Sequence, residues 1–109
     1  MTFIDRLDGI AENIRADWTK RNAARDATLS RSRELIRLCA TIIRASHRDD
    51  LNEAQRLLDE ANVAAAVMRS EAAPYPDLYF AGYTQDALKE LAEAHFTVCL
   101  LYTSPSPRD

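Results

Sequence analysis

Residues 29–48 read LSRSRELIRLCATIIRASHR, and this stretch decides the fold. Leu35, Ile36, Cys39, Ile42 and Ile43 project within a sector of about 120° when successive residues turn by about 100°. Arg33, Arg37, Arg44 and Arg48 fall on the opposite side. One apolar stripe and one basic face at a period of 3.6 specify an amphipathic helix. Outward from this stretch, no glycine or proline occurs between Gly9 and Pro74. Toward the N-terminus, Phe3, Leu7, Ile10, Ile14 and Trp18 recur at helical steps. One long helix is therefore expected over about 3–47, bent near its polar middle around Asn22.

Asp50 followed by Glu53 has the form of an N-cap with a capping-box partner. A second helix is expected over about 51–72, with the stripe Leu51, Ala54, Leu58, Ala61, Ala65 and Met68. Alanine dominates that stripe, so neighbouring backbones can approach closely. Pro74-Tyr75-Pro76 ends the helix. A short helical turn over 77–81 and a break at Gly82 follow. Thr84 is read as the cap of a third helix over about 85–98. No segment alternates with period two, so the expected fold is all-α: an antiparallel helical array with a long first helix.

Composition suits a soluble globular domain. Of 109 residues, 47% are hydrophobic and 28% charged, too apolar for a disordered chain. No apolar run approaches the roughly 18–20 residues of a membrane span. The N-terminus lacks a basic start with an apolar stretch, so a cytoplasmic protein without a membrane partner is expected. Cys39 and Cys99 stand apart, outside any zinc-ligand spacing, and Cys39 lies in the apolar stripe as a buried free thiol.

The formal net charge of −3 conceals an asymmetry. Residues 1–48 hold ten Lys and Arg against six Asp and Glu, whereas residues 49–98 hold three against ten. Two surfaces with different tasks, or helices that pair electrostatically, would each give this pattern. The ladder Arg33, Arg37, Arg44, Arg48 suits a phosphate backbone, since guanidinium groups take phosphates in bidentate fashion. An ordinary solvated face has the same appearance, and no aromatic residues interleave to stack bases. Arg25 and Arg31 project on or beside the apolar side. There an arginine either reaches out to water from the core edge or pairs with an acidic residue of another helix or subunit.

Asp86, Glu90 and Glu93 lie within about 60° of one another on the third helix. Carboxylates on adjacent turns can share a hard cation such as Mg²⁺, although acidic helix faces are also common without one. His47 and His95 read as structural, and no phosphate loop, nucleophile elbow or triad pattern is present.

Three segments together resemble the translin family, especially its archaeal and translin-associated factor X members. The first is Arg25-Asp26 with Leu29 through Arg37, continuing from Ile42 to Arg48. The second runs from Ala54 to Ala61. The third, Gly82-Tyr83-Thr84-Gln85-Asp86-Ala87-Leu88-Lys89-Glu90-Leu91-Ala92-Glu93-Ala94, is similar to the family's Glu-x-x-Glu-Ala signature. The resemblance covers most of residues 20–98. It implies a helical protomer of a hollow homo-oligomer that binds single-stranded RNA or DNA, with the chain forming an incomplete translin-like bundle. For factor X-like members it implies a Mg²⁺-dependent endoribonuclease site, to which Glu90 and Glu93 would contribute as catalytic and metal-binding residues. The remaining acidic ligands belong to a later helix of the family, so the fragment by itself is expected to be inactive. A helical oligomerisation or interaction module without a nucleic-acid role is the alternative.

Residues 99–109, CLLYTSPSPRD, change composition abruptly. They resemble one translated frame of a transposase adapter used in DNA library preparation. Residues 1–98 are accordingly read as the N-terminal portion of a translin-like domain, and 99–109 as a non-native tail that packs poorly.

Overall fold

The computed structural model describes residues 2–103. Within them the chain forms four helices, α1 Phe3–His47, α2 Leu51–Ala72, α3 Pro76–Tyr79 and α4 Gly82–Thr103, with no strands. The all-α class, the long first helix and the antiparallel arrangement agree with the sequence reading.

The helix ends follow from local chemistry. Thr2 caps α1 by accepting from the Asp5 amide at 3.1 Å, and the Asp5 carboxylate accepts from the Thr2 amide at 3.1 Å. The Thr2 amide, and after it the Thr2 hydroxyl, hold the Asp5 carboxyl below its usual pKa. At the other end Asp49 adopts φ 62°. Its amide donates to the Ser46 carbonyl at 3.1 Å, and the Asp50 amide donates to Ala45 at 3.0 Å. This is a Schellman closure with aspartate in the left-handed position that glycine most often fills. Asp50 then caps α2, as expected, accepting from the Glu53 amide at 3.4 Å. The expected reciprocal bond from Glu53 is replaced by an ion pair with Arg56. That hydrogen bond to Arg56 lowers the Glu53 pKa, and the Arg48 charge contributes as well.

The helix expected over about 85–98 is α4, and it begins earlier than its sequence suggested. It starts at Gly82, with Thr84 inside the first turn and fully buried. The Thr84 hydroxyl donates to the Leu78 carbonyl at 2.8 Å, and the Gln85 amide donates to Tyr79 at 2.7 Å. Thr84 therefore fastens α4 to α3 instead of capping it. At its far end α4 runs on through Cys99 to Thr103 instead of stopping at 98. Leu100, Leu101 and Tyr102 are exposed there, and the Tyr102 hydroxyl donates to the Leu51 carbonyl at 3.3 Å. Residues 104–109 of the tail lie outside the described residues.

The core sits where α1, α2 and α4 meet. It comprises Leu35, Cys39, Ile42 and Ala45 of α1, Ala54, Leu57, Leu58, Ala61, Ala65 and Met68 of α2, and Ala87, Leu91, Ala94 and Val98 of α4. Small residues let the axes approach, and the buried polar groups of α1 are satisfied within their own helix. Thr28 donates to Ala24 at 2.8 Å, Ser32 to Thr28 at 2.7 Å and Ser46 to Ile42 at 2.8 Å. Among the described residues no buried side-chain nitrogen or oxygen lacks a hydrogen bond. No helix there is long and apolar enough to cross a membrane.

Coverage of α1 is uneven. From Arg21 onward it contacts other helices, with Arg21 Nη1 3.5 Å from Asp77 Oδ1. Among residues 3–20 only Ala11 is even half-buried. A helix of 22 residues reaches about 33 Å, half the roughly 67 Å of α1, so α2 cannot cover the N-terminal part.

Candidate nucleic-acid interface

Arg33, Arg37, Arg44 and Arg48 lie on the face of α1 turned away from the core, and all four are exposed. From Arg33 to Arg48 the row extends about 22 Å at 1.5 Å per residue. Local contacts hold two of the side chains. Arg37 Nη1 pairs with Glu34 Oε2 at 2.8 Å, and Arg44 Nη2 donates to Thr41 Oγ1 at 3.1 Å. The Glu34 carboxylate offsets part of the charge of Arg37. Arg48 closes the row at the C-cap of α1.

A groove with a mostly apolar surface includes Glu34, the partner of Arg37. It runs between α1 and α2 and is lined by Glu34, Leu38, Asp59, Glu60, Val63 and Ala64.

Arg31 belongs to the structure of the bundle. It makes a two-pronged ion pair with Glu71 of α2, Nε to Oε2 at 2.6 Å and Nη2 to Oε1 at 3.0 Å. Of the two arrangements open to an arginine beside the core, Arg31 takes the interhelical salt bridge. Arg25 is exposed. His95 bonds Asn62 Oδ1 at 2.7 Å, joining α4 to α2. Its sequence context gave no signal for that partner 33 positions away.

The carboxylates of α4 are not brought together into a metal centre. Glu90 is half-buried beside Cys39, whose thiol is raised to about 11 by burial and then by the Glu90 charge. Glu93 is exposed, with Lys89 Nζ 3.9 Å from Oε1, and Asp86 is exposed. Among the described residues no group of three or more His, Cys, Asp or Glu side chains is placed to hold a metal ion. Mg²⁺ demands near-octahedral oxygen coordination and releases its waters reluctantly. Glu90 and Glu93 alone do not provide that coordination.

No protein family, no curated protein and no solved structure matches the chain.

Proposed function

We propose that the chain is a single-stranded RNA- or DNA-binding protein of the translin type. The observation that carries this reading is the exposed row Arg33, Arg37, Arg44 and Arg48 on one face of a rigid helix. Successive guanidinium groups follow a polyanion, and phosphate neutralisation releases counterions whatever the base sequence. Without an interleaved aromatic surface, binding is electrostatic and shows little base preference. The test is binding of a labelled single-stranded RNA at two salt concentrations. Affinity that falls steeply with salt supports the reading. Absence of binding at low salt rejects it.

Glu90 and Glu93 enter this proposal only as a carboxylate pair on α4. Endoribonuclease activity with Mg²⁺ would require further acidic ligands beyond those the described residues assemble. A second reading, a helical oligomerisation module, is favoured by the uncovered apolar stripe from Phe3 to Trp18.

A further inference from the structure

The N-terminal part of α1 is a helix with an apolar face and, among the described residues, nothing packed against it. Phe3 is 74% exposed, Ile4 67%, Leu7 49%, Ile10 56%, Ile14 60% and Trp18 67%. Helical conformation alone gives a peptide only marginal stability in water, and packing of an apolar face supplies most of the rest. We propose that residues 3–18 pair antiparallel with the same segment of a second copy of this chain, about a two-fold axis near Ala11.

Three observations select this occupant. The first is spacing. Phe3, Leu7, Ile10, Ile14 and Trp18 lie at steps of 4, 3, 4 and 4. Reversing the helix about its midpoint sets Phe3 beside Trp18, Leu7 beside Ile14 and Ile10 beside the small Ala11, so the stripe largely matches its own reverse. An isologous contact requires such self-complementarity.

The second is area. With roughly 150–250 Å² for a whole aromatic side chain and less for an aliphatic one, these exposures leave on the order of 600 Å² of apolar surface per chain in water. Two copies could cover at most about 1,200 Å², which reaches the lower bound for specific, stable interfaces.

The third is charge. Arg6 and Asp17 project on one flank of the stripe within about 20° of each other, and Arg15 and Asp8 do so on the other. In an antiparallel pair each flank meets its own copy. Arg6 then faces the partner's Asp17, and Arg15 faces the partner's Asp8, giving four opposite-charge contacts by symmetry. Among the described residues Arg6, Asp8 and Asp17 have no ion-pair partner within the chain, while Arg15 pairs with Glu12 at 3.1 Å. The segment also carries Asp5, Asp8, Glu12 and Asp17 against only Arg6 and Arg15. A net negative helix is poorly suited to anionic lipid or nucleic acid.

The test is the mass of the chain in solution by light scattering or sedimentation, from micromolar to submillimolar concentration. A dimer is expected, reduced to monomer by Leu7→Glu with Ile14→Glu while the helical circular dichroism of the bundle persists. Arg6→Glu should weaken the dimer about tenfold, since it places like charges together, and adding Asp17→Arg should restore it. With Cys99→Ser as background, Ala11→Cys should cross-link two copies under mild oxidation. Ile4→Cys should not, because the antiparallel register separates the two sites by about 20 Å. A monomer throughout, a dimer that survives the double glutamate variant, or cross-linking through Ile4→Cys would each overturn the proposal. Binding of phosphatidylserine vesicles by a chain that remains monomeric would overturn it in favour of a lipid-facing helix.

Discussion

Arg31 of α1 and Glu71 of α2 grip each other through two parallel contacts, at 2.6 and 3.0 Å, across 40 residues of sequence. The pair fixes the end of α2 against the middle of α1. Both side chains are exposed at 44% and 40%, so solvent screens much of the attraction. We expect a double-mutant cycle with Arg31→Ala and Glu71→Ala to give a coupling of about 0.5–1 kcal/mol by chemical denaturation. A coupling indistinguishable from zero would show that packing alone sets this register.

Asp49 is held at φ 62° by the closure between α1 and α2. A residue with a Cβ meets a steric cost there that glycine avoids. Asp49→Gly should raise unfolding stability by about 0.5–1 kcal/mol. Asp49→Ala should not, and thermal melts of the two variants side by side check the order.

The alanine positions of α2 set the helix separation. Ala61 is fully buried between α1 and α4. Ala61→Leu adds volume where none is free and should cost about 1–3 kcal/mol. The denaturation midpoint should fall without a change in helical content at low denaturant. An unaltered midpoint would mean that the interior is looser than described.

The two thiols should behave differently. Cys99 is exposed and Cys39 is buried, so a thiol reagent should modify one site in the native protein and the second only on unfolding. Burial and the Glu90 charge raise Cys39 from 9.0 to about 11. A raised acid favours the neutral form in the folded state. Its contribution is therefore full below pH 9 and is lost as pH climbs through 11. Wild type should lose stability relative to Cys39→Ala across that interval, and a constant difference would contradict the assignment.

For nucleic-acid binding, Arg37→Ala with Arg44→Ala should weaken affinity and flatten its salt dependence. Two fewer phosphate contacts on a single strand change the logarithmic slope by about 1.4. An unchanged slope would place binding elsewhere on the molecule.

Much of the fold was legible in the sequence because its signals are local. A 3.6-residue period, the absence of glycine and proline from 10 to 73, the Asp50 cap and the Pro74-Tyr75-Pro76 stop mark α1 and α2. The exposure of the arginine row follows from the same periodicity, since its residues lie opposite the apolar stripe that becomes the core. The start of α4 lies before the point its sequence suggests, because Thr84 has the chemistry of a cap. Its hydroxyl finds the Leu78 carbonyl only once α3 and α4 are folded together.

Local sequence therefore determined which segments are helical and which face of each is apolar. Tertiary structure alone decided what meets those faces. The stripes Phe3–Trp18 and Leu35–Ile43 read alike, yet among the described residues only the second is covered, with Ile36 exposed at its edge, because α2 is half as long as α1 and its C-terminal end lies beside Arg31. Packing likewise places Glu90 of α4 beside Cys39 of α1, whereas the contact of Glu93 with Lys89 is local to α4. Periodicity gives a direction around one helix axis. The partner in that direction depends on chain length, turn geometry and contacts tens of residues away.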